Sequence, residues 1–242
     1  MDIIQNKLQV IYLNVKENGS TSKSKEYILD VIILMVIVQI ARVIIKYIFL
    51  SQLSFTLENV NIANILSIML VGISVSLFLR GNYLFNPAGR RLIMLNNRYD
   101  NKNIRLILGS ITLVFLCITP YFDGGYLSSN LIVLILSLIV QPIFEEVIFR
   151  EYIWNYIGSF QKNEMKVLVI VSLLSALFKI GYWDIIGQNL SVVGSSFFTI
   201  DIITSNVFFG LIIAFILGIV KIKYKDTYLC IFLHSLINIF VR

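Results

Sequence analysis

The chain has 242 residues, of which 57% are hydrophobic and only 14% are charged, with a mean hydropathy of +0.84. Soluble domains carry about 25% charged residues, so this composition excludes an ordinary soluble protein and indicates a membrane protein. The apolar residues form continuous spans instead of alternating with polar ones, which predicts an all-α structure rather than a β-barrel. The net charge of +6 does not indicate nucleic-acid binding, because the basic residues follow a topological pattern.

Seven apolar stretches have about the 20 residues that a helix needs to cross the hydrocarbon core of a bilayer. We predict a polytopic membrane helix bundle of about seven transmembrane helices, at residues 27–50, 60–79, 104–122, 128–149, 166–183, 202–220 and 226–241. The chain is expected to divide into an N-terminal segment (1–26), three N-terminal transmembrane helices (27–127) and a core of four transmembrane helices (128–242).

Lysine and arginine residues occur in alternate connections between these spans. Four segments are basic: the N-terminal segment, the connections at 80–105 and 150–166, and the turn "KIKYK". The three connections between them contain neither lysine nor arginine. Cytoplasmic loops of membrane proteins carry an excess of lysine and arginine. The alternation predicts a cytoplasmic N-terminus in a multi-pass protein of the cell membrane, with the lipid bilayer as its surroundings.

Polar side chains inside the predicted spans are candidates for function, because such groups usually face the bundle interior or a wet cavity. Six of them lie at the cytoplasmic end of the fourth span, in the fifth span and in the seventh: Glu145, Glu146, Arg150, Lys179, His234 and Asn238. His234 is the only histidine of the chain. In the first span, Lys46 is expected to extend toward the membrane surface, whereas Arg42 lies deeper and requires a buried partner.

The spacing of these residues predicts which of them share a helix face. Glu146 and Arg150 are four residues apart with the acid first, which favours an ion pair, while Glu145 lies about 100° around the helix. His234 and Asn238 also share a face. His234 lies about 12 Å from the cytoplasmic start of its helix, at a depth similar to that of Glu145. We expect the two carboxylates, the imidazole and the amide to meet in a cavity open to the cytoplasm.

This set of groups can perform hydrolysis, although it also allows simpler interpretations. A shielded carboxylate can act as a general base, and an imidazole and an amide can stabilise an oxyanion. The same oxygen and nitrogen atoms could instead hold a metal ion. Alternatively, Glu146 with Arg150 is a structural ion pair, and His234 with Asn238 joins helices by hydrogen bonds. A thiol triad that includes Cys230 is disfavoured, because one straight helix leaves it no acyl pocket.

From about residue 128 to its end, the chain resembles the CAAX protease and bacteriocin-processing (CPBP, or Abi) family of intramembrane endopeptidases. "PIFEEVIFREYIW" is similar to the EExxxR motif of that family, which here contains Glu145, Glu146 and Arg150. "NVFFGLIIAFILGIVKIKYKDTYLCIFLHSLINIF" resembles its closing segment, with an FxxG-bearing span, a short basic turn and an HxxxN helix. The resemblance implies that Glu145 activates the attacking water and that His234 and Asn238 stabilise the oxyanion.

The family's FxxxH motif is incomplete in this chain. In "LLSALFKIGYWD", Phe178 is in place, but Tyr182 stands where the resemblance leads us to expect the histidine that assists Glu145. Tyrosine is a poor base, since the ordinary pKa of its hydroxyl is about 10. Alternatively, the Tyr182 hydroxyl could orient a water for Glu145 and so allow slow hydrolysis. The resemblance also implies a zinc-dependent version, for which one histidine and no cysteine pair predict weak binding. Lys179 lies near the same face and could hold Glu145 as an ion pair, if the fifth helix is tilted or broken.

Two functions are therefore open. The first, which the retained polar set favours, is an endopeptidase that uses glutamate-activated water to cleave a peptide or protein near the cytoplasmic membrane face. The second, which the missing histidine favours, is a catalytically degenerate family member that acts as a membrane scaffold or bacteriocin-immunity protein. A transporter is disfavoured, because the buried charges cluster on three helices rather than lining a path.

Overall fold

The computed structural model describes residues 27–54, 56–81, 101–122, 128–185 and 199–241. Helices make up nearly all of this part of the chain, which contains no strand. The helices are α1 (Tyr27–Leu50), α2 (Leu57–Gly81), α3 (Lys102–Phe122), α4 (Ser128–Ile135), α5 (Gln141–Glu146), α6 (Trp154–Phe160), α7 (Glu164–Phe178), α8 (Thr199–Tyr224) and α9 (Thr227–Val241).

Six helices in the described residues are long and apolar enough to cross a membrane. They correspond to the first six predicted spans, so the all-α polytopic bundle and the multi-pass membrane location are confirmed. The seventh predicted span is α9, an apolar helix of 15 residues, which is shorter than the about 20 residues of a full crossing. The N-terminal segment 1–26 and most of the connections at 82–100, 123–127 and 186–198 lie outside the described residues. The orientation and the domain boundaries therefore stay predictions.

The chain divides into two compact units, residues 1–37 and 38–242. Of the first unit, the structure describes the first turns of α1. Within the second unit, α7 packs along α8, while α9 packs against α3, α8 and α5. Gly218 permits the close approach of α7 and α8, because a Cβ atom at this position would lie 2.1 Å from Cδ1 of Leu168. The second unit contains all the buried polar clusters.

The fourth span is longer than the sequence predicted. Helical residues continue without a break from 128 to 160, so the predicted end at residue 149 is wrong. The three motif residues lie inside this helix rather than at its end, and all three are buried. Other helices surround this stretch, which explains how it can carry charge along the middle of a long apolar helix.

Two π-helical segments interrupt this long helix, Leu136–Val140 before α5 and Val147–Ile153 after it. Pro142 gives a reason for the first one, because proline has no N–H to donate to the preceding turn. The backbone N–H of Gln141 donates to the carbonyl of Leu136, five residues earlier. This wider π-turn accommodates the helical hydrogen bond that Pro142 cannot make. π-segments are frequent at functional sites, and here they flank the two adjacent glutamates.

A short connection joins this long helix to α7. The side chain of Asn163 caps α7 by accepting hydrogen bonds from the backbone N–H groups of Met165 and Lys166, and Glu164 places an acid in the first turn. At its other end, α7 tightens into a 3₁₀ turn at Lys179–Tyr182. The fifth span is thus continuous from Glu164 to Ile185 and narrows to a 3₁₀ turn at the positions that bear Lys179 and Tyr182.

Candidate functional site

Three helical regions bring the predicted site residues together in what we call the central cluster, which consists of Glu145, Glu146, Arg150, Lys179 and His234. α5 and the following π-segment supply the acids and the arginine, the 3₁₀ turn supplies the lysine, and α9 supplies the histidine. The carboxylates of Glu145 and Glu146 are matched by the cations of Lys179 and Arg150. Charge balance is what makes such a group tolerable away from water.

Glu145 forms an ion pair with Lys179. The Nζ atom of Lys179 lies 2.8 Å from Oε1 and 2.7 Å from Oε2 of Glu145, so one ammonium group contacts both oxygens. Gln141, one turn earlier on the same helix, donates a further hydrogen bond of 2.9 Å to Oε1. The Glu145 side chain is 2% exposed and that of Lys179 is 15% exposed. The aliphatic stem of Lys179 lies against Gly210 of α8, where a Cβ atom would come within 3.0 Å of its Cγ.

Glu146 lies between Arg150 and His234. Its Oε2 is 3.1 Å from Nε of Arg150, the ion pair expected from their spacing, and its Oε1 is 2.8 Å from Nδ1 of His234. The terminal nitrogens of Arg150 donate to the carbonyl of Ala214 on α8 (2.8 Å) and to the hydroxyl of Ser175 on α7 (3.4 Å). The arginine therefore joins the long fourth helix to two of its neighbours.

His234 and Asn238 do not face Glu145 as the sequence predicted. His234 is bonded to Glu146, and its Nε2 makes no hydrogen bond to any residue that the structure describes. Asn238, one turn further along α9, donates through Nδ2 to the carbonyl of Ser137 at 2.8 Å. The imidazole thus bonds to Glu146 and the amide to a backbone carbonyl, while His234 stays near enough to Glu145 to interact with it electrostatically. These contacts are as well suited to joining helices as to stabilising an oxyanion.

Tyr182 stands beside the central cluster without a hydrogen bond. Its hydroxyl is buried and has no hydrogen-bond partner of good geometry among the described residues, although the Glu145 carboxylate is near enough to interact electrostatically. Its ring packs edge-on against Phe178 at 5.8 Å. The ring also lies between two cations, 5.1 Å from the Arg42 guanidinium and 5.8 Å from Nζ of Lys179, at distances typical of cation–π contacts.

A second buried group, the Asp184 cluster, consists of Gln39, Arg42, Lys46, Gly181 and Asp184. Asp184 is the partner that Arg42 required. Its Oδ1 lies 2.5 Å from Nη2 of Arg42, and its Oδ2 lies 2.6 Å from Nζ of Lys46. The prediction that Lys46 extends to the membrane surface is wrong, because this side chain is fully buried and ion-paired.

A third buried group joins α8 and α9 to the long fourth helix. Nζ of Lys221 donates to the hydroxyl of Thr227 at 2.7 Å, and that hydroxyl donates to Oε2 of Glu151 at 2.8 Å. Cys230 is also buried, and its thiol contacts the carbonyls of Leu217 and Asp226 at 3.4 Å each. The thiol thus contacts backbone oxygens rather than an imidazole, which gives no support to a thiol triad.

The donor set of the central cluster does not fit zinc. Within the described part of the chain, no group of three histidine, cysteine, aspartate or glutamate side chains could hold a metal ion. Both oxygens of Glu145 bind the ammonium group of Lys179, and Nδ1 of His234, the only histidine, is hydrogen-bonded to Glu146. A zinc site needs three or four such donors directed at one point.

Several site residues were missed in the sequence analysis. Gln141 could have been found, because it precedes Glu145 by one helical turn and so shares its face. Gln39 has the same relation to Arg42, which it contacts through its amide oxygen at 2.8 Å. Asp184 carried no such signal, since its two partners are more than 130 residues away in the sequence.

Residues 127–240 match the family model described as type II CAAX prenyl endopeptidase Rce1-like. Over these residues, the chain is similar to that family. The resemblance noted from the motifs is thereby confirmed, and with it a CAAX-protease-like fold for the region that carries the central cluster. No curated protein and no solved structure matches the chain. Helices α1, α2 and α3 lie outside the matched residues, although α1 supplies three members of the Asp184 cluster.

Proposed function

We propose that this protein is a non-hydrolytic member of the CAAX-protease family, which binds a peptide or membrane-protein partner in the cell membrane without cleaving it. The observation that carries the proposal is the contact of one ammonium group with both oxygens of Glu145. A general base must accept a proton from water, and protonation of Glu145 would break this buried ion pair. The histidine that would share the water in the family is Tyr182 here.

The retained motif residues do not require catalysis to explain them. Glu146 and Arg150 form a buried ion pair, which His234 and the carbonyl of Ala214 extend to α9 and α8. Asn238 binds a carbonyl of the long helix. Hydrogen bonds of this kind hold membrane helices together, and loss of one partner of a buried pair is strongly destabilising. Packing alone therefore gives a physical reason for each of these side chains.

A slow endopeptidase is the second candidate, and two unbonded groups favour it. The Tyr182 hydroxyl has no hydrogen-bond partner of good geometry in the described residues, and Nε2 of His234 makes no hydrogen bond there. Since buried polar groups are normally hydrogen-bonded, the buried Tyr182 hydroxyl is a candidate contact for water or for a peptide carbonyl, and the free Nε2 of His234 is a second one. In this alternative, Lys179 moves away, Glu145 activates a water near the Tyr182 hydroxyl, and Nε2 of His234 stabilises the oxyanion.

Hydrolysis and binding of defined peptides would separate these two functions. The purified protein in lipid nanodiscs would be given an internally quenched farnesylated CAAX peptide and the same peptide without the lipid. We expect the wild type to bind one of them and to cleave neither faster than Glu145→Gln does. We expect Lys179→Met with Tyr182→His to gain cleavage. Lys223→Met, which removes an exposed lysine of α8, is the matched control.

One result would contradict the proposal, and a second would narrow it. Cleavage by the wild type that Glu145→Gln abolishes, with normal protein levels, would establish the endopeptidase instead. If the wild type bound neither peptide, peptide binding would be refuted, and the proposed partner would be a membrane protein. In cells, the non-hydrolytic function predicts that Glu145→Gln leaves the phenotype of the protein unchanged.

A further inference from the structure

The last part of α1 holds the segment of the chain that carries Lys179 and Tyr182. Gln39, Arg42 and Lys46 are spaced by three and four residues, so they project from one face of α1. That face contacts residues 178–184, which include the whole 3₁₀ turn. None of the three residues falls within the stretch that matches the family.

The contacts on this face go to backbone atoms of the turn as well as to one side chain. Nε2 of Gln39 donates to the carbonyl of Phe178 at 3.1 Å, and Nη2 of Arg42 donates to the carbonyl of Gly181 at 2.6 Å. Arg42 and Lys46 then bind the two oxygens of Asp184. These contacts give the carbonyls of Phe178 and Gly181 side-chain hydrogen-bond donors from α1. The turn is thus fixed at three points by groups on one rigid helix.

Gly181 shows how closely the two elements approach. A Cβ atom at this position would lie 2.2 Å from Cδ and 2.5 Å from Nε2 of Gln39. Any larger residue at position 181 must therefore displace the amide that bonds the carbonyl of Phe178. The absence of a side chain here is a requirement of the contact with α1.

We propose that Gln39, Arg42 and Lys46 are positioning residues, which hold the 3₁₀ turn so that the ammonium group of Lys179 reaches both oxygens of Glu145. The inference rests on the proposal that the ion pair with Lys179 keeps Glu145 from acting as a base, which we call the closure of Glu145. It assigns control of that closure to α1. Lys179 and Gly181 are two residues apart in the same turn, so a shift of the turn carries the lysine with it. The guanidinium of Arg42 also lies over the ring of Tyr182, which fixes the second departure from the family pattern.

Zero-length cross-linking measures the position of Lys179 directly. A hydrophobic carbodiimide activates a carboxyl group, and a lysine amine in contact with it displaces the urea and forms an amide bond. In the full-length protein, mass spectrometry of digested peptides would quantify the link between residues 145 and 179. The link between Lys225 and Glu164, an ion pair outside both clusters, serves as an internal reference.

Gly181→Ala is the main variant, because it changes no charge and the three atoms nearest to its new methyl group belong to the flexible side chain of Gln39. We expect the yield of the 145–179 link to fall about tenfold, since misplacement of reacting groups by 1 Å costs up to about 100-fold in rate. Gln39→Leu and Arg42→Met should lower it in the same way. Gly158→Ala is the matched control, because a Cβ atom there meets nothing within 4 Å, and it should leave the yield unchanged.

The outcomes distinguish this inference from the function on which it rests. An unchanged 145–179 yield in folded Gly181→Ala and Gln39→Leu would overturn the positioning role while the closure of Glu145 stands. No 145–179 link in the wild type, with the 164–225 link present, would overturn the closure itself. A fall in thermal stability without a fall in yield would assign the contact to stability alone and would also refute the inference.

Discussion

Replacement of Lys179 by methionine tests the central cluster most directly. The substitution keeps the apolar stem that lies against Gly210 and removes the charge. It leaves the carboxylate of Glu145 buried, with only the Gln141 hydrogen bond as a partner. Loss of one partner of a buried pair costs about 3–5 kcal/mol of folding free energy. Because the Lys179 side chain is 15% exposed, we expect a loss near the lower end of this range.

The measurement is thermal unfolding of the purified protein in detergent. For a chain of this size, 1 kcal/mol corresponds to about 2–4 °C, so Lys179→Met should lower the midpoint by about 6–12 °C. Glu145→Gln should cost less, because the freed lysine is already partly exposed and can turn toward solvent. The double variant should be clearly more stable than the sum of the two losses predicts, since both charges are then gone.

The pair Lys225–Glu164 provides the control, because it is similar in kind but 32% and 53% exposed. Exposed pairs contribute about 0.2–1 kcal/mol, so Lys225→Met should change the midpoint little. If Lys179→Met were as stable as the wild type, or if the Lys179 and Glu145 losses were simply additive, the buried ion pair would be refuted. A closed, non-hydrolytic site would then lose its physical basis.

The other clusters and the charge pattern give three further predictions. Arg150→Ala should lower stability and expression more than Ser175→Ala does, because it strands the Glu146 carboxylate, and equal midpoints would contradict the ion pair. Purified protein should contain less than one equivalent of zinc, with a midpoint unaffected by chelators. One zinc that survives dialysis would show this wrong. Orientation can be tested by thiol labelling after the exposed Cys117 is replaced by serine. Gln52→Cys should then be labelled from outside intact cells, and Lys162→Cys only after permeabilisation. The reverse result would overturn the predicted cytoplasmic N-terminus.

Local periodicity was enough to predict the helices and the contacts along a single helix. The pairing of Glu146 with Arg150 required only a spacing of four residues. These features depend on helical geometry, which the sequence carries directly.

Contacts between helices were predicted less well, for two physical reasons. The first is that the π-segments on both sides of α5 change its rotation, so spacing could not tell which carboxylate faces His234. The second is that residues distant in the sequence share no periodic signal, which left Asp184 unidentified as the partner of Arg42. The end of the fourth span was wrong for a related reason. Hydropathy treats buried charge as a boundary, although neighbouring helices can neutralise it inside a span.

The two departures from the family pattern are best understood as one physical change. A buried carboxylate needs a partner that carries charge or donates hydrogen bonds, and the family's histidine could serve Glu145 in that way. Tyr182 offers a neutral hydroxyl that makes no hydrogen bond of good geometry to Glu145, so the charge requires compensation from elsewhere. Lys179, one turn earlier on the same face, supplies it. Lysine without tyrosine would place a cation beside an imidazole, and tyrosine without lysine would leave a carboxylate uncompensated. The single variants Lys179→Met and Tyr182→His should therefore each be less stable than the wild type. The double variant Lys179→Met with Tyr182→His should be more stable than Lys179→Met alone.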